Sequence, residues 1–178
     1  MAQVTAFQGN AGTLTEAFEE LFREHHALIF RSAYSITGNA QDAEDVLQTI
    51  FLRLLRRGVT PDLQKNPKGY LYRAAVNVAL SILRSRRETA TIEQEPFETP
   101  AVLVEPRVSD ESRRALVNAM AQLKPGAIEI LVLHYEHDYS DAEIARILGT
   151  SRGTVAVSLY RTRARLRKLM QVDLEKRS

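Results

Sequence analysis

The stretch from Tyr139 to Met170, YSDAEIARILGTSRGTVAVSLYRTRARLRKLM, restricts the fold of this chain more than any other. Ser140 and Glu143 stand in the S-x-x-E order of a capping box, in which side chain and backbone satisfy each other's open hydrogen bonds at a helix start. Ile144, Ala145, Ile147 and Leu148 give the helix that follows one apolar face. Gly149 comes where that helix must stop, and glycine adopts the left-handed conformation of a helix end most readily. Ser151 can cap a second helix. On it Val155, Leu159, Leu166 and Leu169 fall near one side, and Arg152, Arg161, Arg165 and Lys168 are left for solvent or phosphate. A small residue at Ala145, a glycine at Gly149 and an aliphatic at Val155 have the spacing of a helix-turn-helix, whose helices cross closely at the alanine and turn at the glycine. The second helix grows more basic along its length, which suits a DNA-reading device.

Charge divides the rest of the chain. The formal net charge of the 178 residues is only +2, yet residues 89–111 hold six acids against one base, Arg107. That segment also carries Pro96, Pro100 and Pro106 and has no helical period, so it reads as an extended, flexible acidic linker. The expected organisation is a disordered N-terminus (1–13), a first helical domain (14–88), the linker (89–111), a second helical domain (112–172) and a short tail (173–178). The fold class is all-α. With no cysteine, disulfides and thiolate metal sites are excluded. No apolar run reaches membrane-spanning length and no export signal is visible, so a cytoplasmic protein is expected.

Three helices are expected in the first domain. Thr13 and Glu16 form a second capping box, and Phe18, Leu21, Phe22, Leu28 and Ile29 mark one face of the helix it starts. Asn39 caps the next helix, where Ala43, Val46, Leu47, Ile50, Phe51, Leu54 and Leu55 repeat at i, i+3, i+4, i+7 until Gly58. Asn66-Pro67 opens the third, with asparagine as cap and proline at the first helical position. It runs into Arg84, Arg86 and Arg87, cations that also suit a helix C-terminus. Two of these helices carry a second surface. On one, Asp42, Asp45, Gln48, Thr49, Leu52 and Arg56 lie opposite the core stripe. On the other, Arg73, Asn77, Ser81 and Arg84 recur at helical spacing, side chains able to meet phosphates and base edges.

These segments resemble a known family. NAQDAEDVLQTIFLRLLRR is similar to region 2 of bacterial sigma factors, with the Asp-Ala-Glu-Asp-aliphatic-x-Gln-x-x-Phe pattern at Asp42 to Phe51. NPKGYLYRAAVNVALSILRSRR resembles the part of region 2 that engages the minus-ten promoter element. The EIA…LG…GTV…R-x-R-x-x-L pattern from Glu143 to Leu166 resembles region 4. Two such domains with no other sigma regions match the extracytoplasmic-function group of the sigma-70 family.

The resemblance implies roles for residues. Asp42, Asp45, Gln48, Thr49 and Leu52 would dock on the clamp helices of the polymerase's largest subunit. The loop 57–66 would face the unwound minus-ten strand, with Arg73, Asn77, Arg84, Arg86 and Arg87 lining the same DNA. Ser151, Arg152, Thr154, Ala156 and Ser158 would approach bases of the minus-thirty-five element. Arg161, Arg163, Arg165 and Arg167 would steady the DNA backbone or meet the flap of the second subunit. The implied partners are core RNA polymerase, promoter DNA and an anti-sigma factor, with no cofactor, no metal and no membrane insertion. The chain departs from the family where GTVAVS replaces a common GTVKSR, so Ala156 and Ser158 stand at positions usually basic. Tyr70 stands where tryptophan is common.

Other patterns lead less far. His134 and His137 are three apart, a spacing that metal sites use, but no third ligand stands beside them. No nucleophile elbow, phosphate-cradling loop or catalytic triad pattern occurs, so no enzymatic activity is expected. Two rivals to the sigma reading are a stand-alone helix-turn-helix regulator and a sigma mimic that titrates an anti-sigma factor.

Overall fold

The computed structural model describes residues 11–93 and 110–175. Among them every regular element is a helix. In order these are α1 (Ala11–Thr37), α2 (Ala40–Arg57), α3 (Pro61–Lys65), α4 (Pro67–Glu93), α5 (Asp110–Ala121), α6 (Pro125–Tyr135), α7 (Asp141–Leu148) and α8 (Arg152–Glu175). Most of the acidic linker lies outside the described residues, as do residues 1–10 and 176–178.

In the first bundle α1 packs on α2 and α4, and α2 and α3 also pack on α4. Its centre is Ile29, Ile36, Val46, Ile50, Leu63, Leu71, Val76, Leu80 and Leu83, each no more than 2 % exposed. Burying each side chain of this size is worth about 1.5–3 kcal/mol, which sets against the entropy of ordering four helices. In the second bundle α8 packs against α5, α6 and α7, around Met120, Ile128, Leu133, Ile144, Val155 and Leu159.

Several helix ends follow the chemistry of their residues. The Asn39 side chain accepts the Asp42 amide at 3.2 Å, and Asn66 accepts the Gly69 amide at 2.9 Å. Other elements differ from the sequence expectation. The segment 57–66 is not all loop: Thr60 caps α3, with Pro61 at its first turn and Leu63 buried. Proline fixes a helical φ there, and the buried leucine holds the single turn down. Helix α1 already runs at Ala11, ahead of the start expected at Thr13, and α4 continues to Glu93, past the arginines expected to end it.

The two bundles also pack on each other. Helix α6 touches α4 and α1, and α5 and α7 touch α4, so the buried side chains form one connected cluster. Six consecutive residues of α6, from Ile128 to Leu133, are buried. A helix buried on every side needs partners on every side, and α6 has them in both bundles, with Glu129 as the one charged residue of the run.

Candidate nucleic-acid interface

Helix α2 presents Asp45, Gln48 and Leu52 to solvent, and Leu52 is 51 % exposed. Asp42 does not belong to that outward face. It is buried, and both its oxygens meet Arg86: Nη2 donates to Oδ1 at 2.8 Å, and Nη1 lies 2.8 Å from Oδ2. The residue expected to dock and the arginine expected at DNA thus form an ion pair with each other, because α4 crosses the first turn of α2 just where Asp42 points. Thr49 is half-buried and lines a cleft instead. Leu55, expected in the core stripe, is 62 % exposed. It borders an open apolar groove with Phe18, Phe22 and Phe51, where the Phe22 and Phe51 rings meet edge to face at 5.0 Å.

On α4, Arg73, Asn77 and Arg84 are exposed in part, and the first two line a cleft of about 1240 Å³. The side chain of Arg87 lies outside the described residues. Arg53 of α2, Lys65 of α3 and Arg146 of α7 converge on the same cleft, with Tyr70 and Asn66 in its wall. Of these cations only Lys65 falls in a segment the sequence set against DNA, the stretch 57–66; Arg53 and Arg146 sit on separate helices and share no local pattern with it. Such a cleft, rich in cations and amides with one carboxylate at Asp62, suits a nucleic-acid strand.

Arg73 and Arg84 already have partners. Arg73 Nη2 donates to the Leu148 carbonyl, and its Nε lies 3.8 Å from Glu129. Arg84 donates from Nε to the Ala121 carbonyl at 3.1 Å and from Nη2 to the Leu123 carbonyl at 3.0 Å. Asn77 bonds only its own helix, at the Arg73 carbonyl, among the contacts seen.

The helix-turn-helix has the geometry its residues dictate. Ser140 and Glu143 form a complete capping box, and those hydrogen bonds hold the Glu143 carboxyl below its usual range. Gly149 adopts the left-handed conformation at φ 63°, and Val155 is fully buried beneath it in the second helix. Ser151 accepts the Thr154 amide at 3.1 Å and caps α8. Around that start Ser151, Arg152, Thr154 and Ala156 are exposed and Ser158 is half-buried. Arg161 and Arg165 are exposed further along, with Val157 and Tyr160 beside them at 49 % and 77 %. Arg163 turns inward, donating to the Tyr135 hydroxyl at 2.6 Å and reaching His134 at 3.1 Å.

His134 and His137 serve different neighbours. His137 lies beyond the end of α6 and meets the Ser32 hydroxyl at 2.9 Å. Burial pushes its imidazole down to about 4, and the Arg31 and Lys68 charges push the same way. Among the described residues no group of three side chains could hold a metal. Burial raises the Glu129 carboxyl, and nearby Arg73 works against that rise.

The chain has known relatives. The family model of sigma-70 region 2 matches residues 21–89, and that of sigma-70 region 4 matches residues 113–166. The RNA polymerase sigma-E factor of Streptomyces coelicolor is 33% identical over 163 residues, 90% of each chain. The RNA polymerase sigma factor CarQ of Myxococcus xanthus is 34% identical over 165 residues, 90% of this chain and 93% of that one. The ECF RNA polymerase sigma factor SigM of Mycobacterium tuberculosis is 30% identical over 154 residues, 86% of this chain and 77% of that one. With both helical bundles matched in order and relatives aligned over 77–93% of their length, the chain belongs to the sigma-70 family, as a sigma factor of its extracytoplasmic-function group.

Proposed function

We propose that this chain brings core RNA polymerase to a specific set of promoters and helps open their minus-ten element. The observation that carries the reading is the double use of α2. One face is core, and the other offers Asp45, Gln48 and an exposed Leu52 to a partner. An isolated exposed leucine is ordinary, but one flanked by a carboxylate and an amide at helical spacing fits a helix-on-helix contact. The clamp helices of the polymerase's largest subunit are the partner that this face serves. Asp42 supports that face from within, through Arg86.

The cleft beside α3 and α4 takes the unwound minus-ten strand. Extruding a base costs a few kcal/mol of stacking and pairing, and contacts in the pocket must return it. Tyr70, Asn77 and Ser81 supply a ring and hydrogen-bonding groups on the cleft wall, while Arg53, Lys65 and Arg73 neutralise phosphate. The first turns of α8, with Ser151, Arg152, Thr154, Ala156 and Ser158, enter the major groove at minus thirty-five. Arg161 and Arg165 follow the DNA backbone or the flap of the second subunit. With Ala156 and Ser158 uncharged, Arg152 is the cation at this end of the helix.

In this reading the chain does no chemistry of its own; the polymerase does it, in the cytoplasm, and an anti-sigma factor holds the chain in reserve. Reconstitution with core polymerase tests the proposal. Wild type should form a stoichiometric complex and start transcription from a cognate promoter, and Leu52→Asp should lose core binding at least tenfold with unchanged thermal stability. A wild-type chain that binds no core, or starts no transcription in a screen of promoter fragments, would sink it.

A further inference from the structure

The side of α8 that points away from the protein is apolar along its centre. Val155, Leu159 and Thr162 are buried and mark the side that rests on the second bundle. With 3.6 residues per turn, the opposite side holds Gly153, Val157, Tyr160 and Ala164. All are exposed, Val157 at 49 % and Tyr160 at 77 %. A Cβ on Gly153 would meet only Ser151 Oγ, at 3.9 Å, so the backbone is open there as well. Exposed cations flank this stripe, Arg152 and Arg167 on one side and Arg161, Arg165 and Lys168 on the other. None of them pairs with a carboxylate among the described residues. Cations on both flanks fit a polyanion with two rows of charge rather than an apolar protein surface. A helix about 10–12 Å across fills a major groove about 12 Å wide, so with the flanks on phosphate the central stripe lies deepest. We propose that Val157, a residue outside the set placed in the groove above, reads thymine at the minus-thirty-five element by packing on the C5-methyl of that base; the inference rests on the assignment of α8 to that element.

Of the base edges in the major groove, only that of thymine offers an apolar group; the others present donors and acceptors alone. Val157 has no polar atom in its side chain. Against guanine, cytosine or adenine it displaces water and returns no hydrogen bond. Against thymine it buries a methyl group, which is worth about fourfold in affinity. The residue therefore selects twice, by attraction to one base and by penalty against the other three. A serine at this place could donate or accept and would tolerate any of the four. Tyr160, one turn on, prolongs the apolar edge with its ring and carries a hydroxyl at the tip for a neighbouring base or phosphate. Thr154 and Arg161 stand beside Val157 with polar groups for the adjoining positions.

The test uses the full chain bound to core polymerase and a pool of fragments of a promoter that this complex transcribes, randomised through the minus-thirty-five element. The wild-type complex should enrich fragments with thymine fixed at one position, on either strand. Uracil in place of that thymine removes the methyl and nothing else, and should weaken binding about fourfold. Val157→Ser should bind the thymine and uracil fragments equally and should no longer fix that position in its own selected pool. Val157→Ile keeps an apolar end and should keep the distinction. Because Val157 is half-exposed, both variants should melt with the wild type. Each protein is compared with itself on two fragments, so a general loss of affinity in a variant cancels. Equal binding of thymine and uracil by the wild type, or an undiminished uracil effect in Val157→Ser, would overturn the reading of thymine by this residue. If the wild-type complex starts transcription yet enriches no sequence and leaves no footprint at minus thirty-five, it is the assignment of α8 that fails, and the role of Val157 with it.

Discussion

Asp42 and Arg86 bind each other through a two-pronged pair, with both nitrogen–oxygen distances at 2.8 Å, across 44 residues of sequence. The pair ties the first turn of α2 to the far part of α4, and its fork geometry is the strong form of an arginine–carboxylate contact. Its position accounts for the burial of Asp42 and fixes the angle at which α2 presents Asp45, Gln48 and Leu52.

Removal of Asp42 should therefore act on stability first. Breaking a buried pair from one side costs about 3–5 kcal/mol, and the one-third exposure of the Arg86 side chain reduces this to roughly 1–3 kcal/mol for Asp42→Ala. Arg86→Ala should cost a similar amount, and the double variant clearly less than the sum. Urea unfolding of the three variants checks this. Additive losses would mean that the two residues do not act as a pair.

Gly149 offers a test of the helix-turn-helix turn alone. Its φ of 63° is left-handed, and nothing lies within 4 Å of a Cβ placed there. Gly149→Ala should thus carry only the backbone cost, about 1–2 kcal/mol. Gly149→Asn should cost less. Thermal melts rank the three proteins, and a silent alanine would show that the turn relaxes to another conformation.

Acid should loosen the chain through His137. Its folded value of about 4 lies below the ordinary 6.5, so between these values the unfolded chain binds more protons. Its contribution is intact above pH 6.5 and is lost as the pH falls towards 4. Partial exposure to water limits the loss to about 1 kcal/mol, or roughly 2–4 °C in melting temperature. Glu129, with its raised carboxyl, has the opposite sign: proton uptake favours the fold as the pH falls through its folded value. Comparing wild type with His137→Gln from pH 7.5 to 4.5 isolates the histidine. Parallel stability curves would contradict its assignment.

Arg152 should supply a phosphate or base contact to minus-thirty-five DNA. Arg152→Ala in the polymerase complex should weaken promoter binding about tenfold and lower the steepness of its salt dependence by close to one counterion. Ala156→Lys adds a second cation to the exposed first turns of α8, beside Arg152, and should tighten binding. Footprinting of the minus-thirty-five region at two salt concentrations measures both effects. An unchanged footprint with Arg152→Ala would place the contact elsewhere.

The local devices were legible in the sequence because their partners lie within four residues. Asn39, Asn66, the Ser140–Glu143 box and the Gly149 turn all belong to this class. What depended on distant neighbours was not legible. Helical period alone put Asp42 on the outward face and Leu55 in the core; the approach of α4 buries the first, and the end of the α1–α2 contact leaves the second open. The cleft joins Arg53, Lys65 and Arg146 from three helices, so no linear pattern could bring them together. One signal was available and went unread. The run Ile128 to Leu133 has too little polarity for a helix with a wet face, and it marked the contact between the domains.

That same helix bears on how the chain behaves in a crowded solution. Once the domains part, the side of α6 that rested on α4 meets water, and an uncovered apolar strip seeks another surface. Parting would therefore make the chain adhesive, with this strip free to meet other copies at high concentration. Production at high yield would favour the joined form, and heating or mild denaturant would bring turbidity before unfolding is complete.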